Sequence, residues 1–217
     1  MRLSVTATVL SLCAVFAAAS PVSQPITFNS NEVYIAGITY AGTGCPAGSV
    51  AVSALQGWTG IELGFDDGDI CPRLPRPYPP FPPRFETRNC NINFRLHYPP
   101  GYSFTLFKTE YIGHVDLDSK VVATQESTYW FAGFPAPSSA TSKTVWTGPI
   151  SQNYDISNTI LEAAYVWSPC GASTTLNVNT RVSVSNSANP QGQGSICLDK
   201  IKEKVQTIVG IQWKKCT

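Results

Sequence analysis

The sequence predicts an all-β protein, an antiparallel β-sandwich of jelly-roll-like type stapled by disulfides, with a partly open β-barrel as the alternative. Three observations carry that expectation. Apolar and polar residues alternate through many short runs. Glycine- and proline-rich turns separate the runs, and no long helical period intervenes. Six cysteines follow an apolar leader.

Met1 and Arg2 precede a mostly apolar run from Leu3 to Phe16, and Ala17-Ala18-Ala19 supplies the small residues that a signal peptidase requires. Residues 1–19 are therefore expected to be a signal peptide and 20–217 a single secreted, extracellular domain. The run is shorter than the roughly 20 apolar residues of a spanning helix and closes on Pro21, so a membrane anchor is not expected. Cleavage removes Cys13 and leaves Cys45, Cys71, Cys90, Cys170, Cys197 and Cys216. An even set in an exported chain implies disulfides, but six cysteines allow about 15 pairings and spacing does not choose among them. No Cys-x-x-Cys occurs, which argues against zinc or a redox pair. The 15 basic and 14 acidic residues give +1, or zero once Arg2 is lost (14 minus 14). Nucleic acid and anionic membranes demand a basic patch, so neither is expected as a partner.

Residues 20–31, with Pro21 and Pro25, read as an extended arm. Strands are expected over Glu32–Tyr40, Ser49–Ala54 and Trp58–Phe65, with Cys45 held in a glycine-rich turn between the first two. Proline density over 72–83 predicts a rigid surface loop of polyproline II type, because proline cannot donate to a sheet ladder. Ile92, Phe94, Leu96 and Tyr98 then alternate with Asn91, Asn93, Arg95 and His97. Beyond the Pro99–Tyr102 turn, Phe107, Tyr111, Val115 and Leu117 are expected inward, with Lys108, Glu110, His114 and Asp116 outward. Pairing these two strands as a hairpin would set Phe94 opposite Phe107 and His97 opposite Phe104. Val121, Ala123, Tyr129 and Phe131 continue the inward face, while Trp130 falls on the other side with Thr124 and Glu126. After a loop over 135–142, strands are expected at Lys143–Thr147 and Leu161–Trp167, the latter with Leu161, Ala163, Tyr165 and Trp167 in phase. Leu176, Val178, Val182 and Val184 alternate cleanly with Asn177, Asn179, Arg181 and Ser183. A charged stretch over 198–206 can form one or two helical turns, and Thr207–Lys215 closes the chain as a strand.

No residue set commits the chain to a reaction. His97 and His114, about ten residues apart along the proposed hairpin and so about 30 Å, cannot share a metal ion. Asp66-Asp67-Gly68-Asp69 lacks the alternate acidic positions and downstream glutamate of an EF-hand loop. Asp116 and Asp118 need a facing carboxylate at roughly 5 to 10 Å to hydrolyse a glycoside, and opening a turn is their expected role. There is no Gly-x-Ser-x-Gly elbow, and Cys45 is expected in a disulfide. No cofactor is expected. Tyr78 and Phe81 in the proline tract, and Trp130 among polar neighbours, are the aromatics best placed to stack on a sugar or anchor an extracellular protein.

Several separated motifs occur in order: Arg88-Asn89-Cys90, Leu96-His97-Tyr98-Pro99-Pro100-Gly101, Trp167-Ser168-Pro169-Cys170-Gly171, Leu176-Asn177-Val178-Asn179-Thr180 and Gln212-Trp213-Lys214-Lys215-Cys216. On these the chain resembles the domain of unknown function 4360 family of small secreted proteins from filamentous fungi and some bacteria. The resemblance implies no activity. It implies recurring cysteines at Cys45, Cys90, Cys170 and Cys216, with Cys71 and Cys197 as additions, and hence the pairs Cys45 with Cys90, Cys170 with Cys216, and Cys71 with Cys197. The expectation is a monomeric, non-enzymatic binding module outside a fungal cell, wall-associated or host-facing and effector-like. A carbohydrate-active hydrolase and a protease inhibitor are the alternatives.

Overall fold

The structure, a computed structural model, describes residues 29–65, 70–75, 79–133, 138–171, 173–198 and 205–216. The signal-peptide reading, the Asp66–Asp69 turn and Tyr78 lie outside them. The described residues form β1 (Tyr34–Ala41), β2 (Val50–Ala54), β3 (Gly60–Phe65), β4 (Phe85–His97), β5 (Tyr102–Leu117), β6 (Val122–Phe131), β7 (Ser139–Thr147), β8 (Ile150–Thr159), β9 (Ser173–Ser185), β10 (Gly194–Leu198) and β11 (Val205–Lys215). They build two antiparallel sheets in a sandwich. The first sheet runs β1-β4-β9-β6-β7. In the second, β5 pairs with β8 on one side and with β10 and then β11 on the other, and β11 continues to β3 and β2.

Alternation dictates the layers. In β6, β9 and β4 from Cys90 onward every second residue is buried, and the inward rows, among them Ile92, Phe94, Leu96, Tyr129, Phe131, Leu176 and Val178, meet Leu63, Phe104, Leu106, Tyr111 and Val209 of the second sheet in one core. Phe104 packs edge-on against Phe131 with ring centroids 5.1 Å apart, and Trp146 of β7 lies 4.9 Å from Tyr154 of β8. Such pairs add roughly 0.5 to 1.5 kcal/mol beyond the area they bury.

The hairpin across Pro99–Tyr102 does not form. β4 pairs with β1 and β9 in the first sheet and β5 belongs to the second, so the Pro-Pro-Gly turn carries the chain from one layer to the other. Phe94 lies opposite Ile38 and Leu176, and His97 opposite Tyr34 and Ser173. Phe107 is only half-buried because the ladder between β5 and β11 shifts register at Gly210/Ile211, which switches the inward phase from Phe104 and Leu106 to Thr109 and Tyr111. A Cβ on Gly210 would lie 2.6 Å from Lys108 Cγ and 2.8 Å from Phe107 Cε1, so a larger residue would press on both side chains.

Two further expectations change. Leu161–Trp167 is not a strand: Glu162–Ala164 forms a 3-10 turn and Leu161 is 78% exposed. Its flanks rejoin β5 through Ile160 N–H to Phe107 O and Ser168 N–H to Phe104 O. The adjacent β8 escapes sequence reading because its Ser, Gln, Asn and Asp content hides the alternation. The charged stretch over 198–206 meets β10 and β11 at its ends, with 199–204 outside the described residues. The start of the proline-rich segment is also tied to a sheet. Leu198 and Ile196 N–H donate to the carbonyls of Ile70 and Pro72, Leu74 N–H donates to Gly194 O, and Leu74 is buried.

Disulfides join Cys45 to Cys90, Cys71 to Cys197 and Cys170 to Cys216. Cys45 and Cys90 are buried and fasten the loop after β1 to β4, where Gly44 N–H also donates to Asn89 O.

Hydroxyls cross the core. Tyr129 Oη donates to Leu106 O at 2.7 Å and lies 3.1 Å from Thr105 Oγ1, so one phenol ties the two sheets. Tyr111 Oη is buried beside the hydroxyls of Ser127, Thr109 and Ser142 but makes no hydrogen bond of good geometry among the described residues. Removing a satisfied hydroxyl costs about 1 kcal/mol or more, whereas removing an unsatisfied one is nearly neutral. Tyr129→Phe is therefore expected to destabilise by about 1 to 2 kcal/mol and Tyr111→Phe by less than about 0.5, read from urea midpoints; equal losses would contradict the assignment. Burial pushes the phenols of Tyr98, Tyr111 and Tyr129 above their ordinary value. The native state then holds protons that the unfolded chain releases above about pH 10, so this stabilisation is complete below about pH 10 and is lost as pH rises through the folded values. Unfolding free energy measured from about pH 8 to 11.5 should fall at the alkaline end, and less steeply in Tyr129→Phe.

Candidate binding surface

Because the inward rows of the first sheet are apolar, the outward rows are set by period and register. Asn91, Asn93, Arg95 and His97 of β4 stand outward beside Ser173, Thr175, Asn177 and Asn179 of β9. The pairs Asn91–Asn179 and Asn93–Asn177 make a tetrad of half-buried amides at the centre of the sheet. Trp130 of β6 lies in register with Asn177, and Thr39 of β1 with Asn93. At about 4.8 Å between strands, the row Trp130–Asn177–Asn93–Thr39 spans about 14 Å.

Hydrogen bonds position this row. Asn177 Nδ2 donates to Trp130 O and Asn93 Nδ2 to Thr39 Oγ1, each at 3.3 Å. Asn91 Oδ1 and Asn179 Oδ1, shielded from solvent, have no partner among the described residues, which leaves hydrogen-bonding capacity unfilled within the tetrad. At one end of the face Tyr34, 52% exposed, stacks on His97 with centroids 4.8 Å apart, and His97 Nδ1 is 3.1 Å from Ser173 Oγ. Between the rings and the tetrad, Arg95 lies over the bulge at Ile35/Gly37, where a Cβ on Gly37 would come 3.1 Å from Arg95 Nη2. Gly37, Ile38, Asn93, Arg95 and Thr175 line a shallow depression of about 290 Å³ there. At the other end Glu126 accepts from Arg181 Nη2 at 2.9 Å and approaches Lys143 at 4.0 Å, an exposed ion group of little energetic weight.

Of the three aromatics singled out in the sequence, Trp130 is on this face, half-buried. Phe81, 38% exposed, sits in the segment before β4, and Tyr78 lies outside the described residues. The sequence points to His97 only as a candidate metal ligand and to neither Tyr34 nor the tetrad; the signal lies in the asparagines alternating on β4 and β9, but only pairing makes two such strands one surface.

The remaining candidates are dispersed. His97 is on the outer face of the first sheet. His114, 2.8 Å from Asn153 Oδ1, is on the outer face of the second. Asp118 Oδ2 accepts from Gln193 N–H at 2.8 Å, and Asp116 and Asp118 line a polar depression of about 280 Å³ with Arg73 and Ser195. No group of three or more His, Cys, Asp or Glu side chains converges as a metal site among the described residues. No helix among them is long and apolar enough to cross a membrane.

Two antiparallel sheets around one aromatic-rich core, fastened by three disulfides, define a disulfide-stapled β-sandwich of the kind exported proteins use. The chain belongs to the domain of unknown function family DUF4360, which it matches over residues 31–216. It is 32% identical over 189 residues to an uncharacterized secreted protein of the filamentous fungus Arthroderma benhamiae, covering 86% of this chain and 73% of that one. The protein is secreted. Among solved structures it is similar to the carbohydrate-binding module TmCBM61 in complex with β-1,4-galactotriose, at 12% identity and a TM-score of 0.23, covering 83% of this chain and 90% of that one. It is also similar to the enzymatically active domain of tailspike protein 4 of bacteriophage CBA120, at 11% identity and a TM-score of 0.23, covering 87% of this chain and 20% of that one. Both likenesses are too remote to carry an argument.

Proposed function

We propose that the protein is a non-enzymatic extracellular binding module that holds a polysaccharide chain of a cell wall on the outer face of the first sheet. The observation that carries this reading is the register-locked row of Trp130, Asn177 and Asn93, flanked by Arg95 and the Tyr34–His97 pair. A sugar presents hydroxyls at its edges and an apolar C–H face. Amides donate and accept at once, and an indole ring gives a flat apolar partner. A row about 14 Å long fits a short run of sugar units better than a single small molecule buried in a cleft. Binding rather than hydrolysis is also supported by the carboxylate beside this row, since glycoside hydrolysis needs two carboxylates on either side of the scissile bond and Glu126 is engaged by Arg181.

The test is retention of the purified protein on insoluble chitin, β-glucan, galactan and host wall preparations. At least one should retain it without release of reducing sugar. Trp130→Ala and the double variant Asn93→Ala/Asn177→Ala should each weaken retention about tenfold or more, with Phe81→Ala unchanged. Undiminished retention by the Trp130 and asparagine variants would remove the face from consideration. Sugar release that stops on replacing one aspartate or glutamate would establish the hydrolase instead.

A further inference from the structure

Charge is divided between the two outer faces of the sandwich. Among the described residues, the outward positions of the first sheet carry Arg95, Lys143 and Arg181 against the carboxylate of Glu126. Those of the second sheet carry Glu62, Glu110, Asp116 and Asp155 against Lys108 and Lys214. A chain of almost balanced charge thus presents a cationic face and an anionic one, and the cationic face is the one that bears the amide row.

The excess on the first sheet centres on Arg95. Arg181 is answered in register by Glu126, whose Oε1 accepts from it at 2.9 Å, and Lys143 approaches the same carboxylate. Arg95 has Gly37 and Thr175 in register and Asn93 and His97 along its own strand face, so no carboxylate stands beside it. It is exposed, and among the described residues its side chain makes no hydrogen bond or ion pair. The five donors of its guanidinium are open to a ligand.

The backbone beside it keeps those donors uncovered. A Cβ at position 37 would come 3.1 Å from Arg95 Nη2 and 3.5 Å from Nε, and glycine supplies none. Nε and Nη2 form one edge of the guanidinium fork, which matches the two oxygens of a carboxylate. This edge borders the depression of about 290 Å³ that Asn93 and Thr175 also line, near the roughly 300 Å³ at which small-molecule sites begin. At about 4.8 Å between strands and about 3.3 Å per residue, the Cα atoms of Arg95 and Trp130 are about 12 Å apart, so a chain stacked on the indole reaches the guanidinium within a few sugar units.

We infer that the polysaccharide held on this face is acidic and sets the carboxylate of a uronate unit on Arg95, with the sugar ring in the depression between Gly37 and Thr175. The inference rests on the reading of the face proposed above and names the class of its ligand. A bare inorganic anion would leave the asparagines and the indole without partners, and an uncharged glycan would leave the guanidinium unanswered.

The experiment is calorimetric titration of the secreted protein with a galacturonate oligomer, a glucuronate oligomer and the methyl ester of each, which keeps the rings and removes the charge. At least one acid should bind about tenfold or more tightly than its ester, by a margin that narrows as salt rises. Arg95→Gln should abolish the margin while leaving the ester affinity and the melting temperature unchanged. Lys214→Gln, which removes a cation from the other sheet, should leave the margin intact. Trp130→Ala should weaken acid and ester alike. Equal affinity for acid and ester, binding of neither acid, or a margin that survives in Arg95→Gln would overturn the inference; if Trp130→Ala still weakens the ligand that binds, the proposed function stands without it. A margin lost in Arg95→Gln with Trp130→Ala unaffected would keep the uronate site and remove the stacking on which the proposed function relies. Binding untouched by either variant would remove both.

Discussion

Four asparagines stand on the outer face at the centre of the first sheet because Ile92, Phe94, Leu176 and Val178 must face the core. β4 and β9 are paired along the full 13 residues of each, from Phe85 with Ser185 to His97 with Ser173. A slip of one residue would drive the amides and Arg95 into the core and expose the aliphatic row, at a cost of roughly 1.5 to 3 kcal/mol for each large side chain displaced. The hydrophobic effect thus selects one register, and that register aligns Trp130 with Asn177 and Asn93. The amide face is a by-product of burying the opposite side of the same strands.

The second sheet answers to the same constraint with less regularity. β5, at 16 residues, serves β11 and β10 on one edge and β8 on the other, and it cannot keep one phase along its whole length. The register shift at Gly210 resolves the conflict: below it Phe104 and Leu106 point to the core, above it Thr109, Tyr111 and Val115 do. Thr109, drawn inward by this change, finds a partner across the sandwich, its Oγ1 lying 2.7 Å from Ser142 Oγ, while within the first sheet Ser127 Oγ meets its register partner Thr180 Oγ1 at 2.8 Å. Buried hydroxyls satisfied in this way help define one packing of the two sheets.

The bridges act at the places where chain pairing alone leaves segments loose. Cys45 holds the glycine-rich loop after an edge strand, and Cys170 holds an irregular segment that replaces a strand beside β5. Each long loop so closed restricts the unfolded chain and contributes about 2 to 4 kcal/mol. At the Cys170 end this rigidity keeps Trp167 beside Lys214, whose Nζ stands 4.0 Å from its ring centroid.

Much of this was legible from residue order. Alternation placed Ile92 to Tyr98, Tyr129 and Phe131, and Leu176 to Val184 on inward faces, and put Trp130 outward, because a strand's period is a local property of the backbone. The family and the secreted character could be read in the same way from cysteines and spaced motifs. Partner choice could not. The Pro99–Tyr102 turn looks like a hairpin but links two layers, Phe107 lost its phase to a shift imposed from β11, and the polar β8 had no apolar signature to reveal it. These outcomes depend on contacts between residues far apart in the chain, which a local pattern does not encode. By itself the sequence determined which residues can share a face; only the tertiary structure decided which faces lie side by side, because joining Asn93 to Asn177 and Trp130, or Trp167 to Lys214, takes a core that forms only when both sheets close on it.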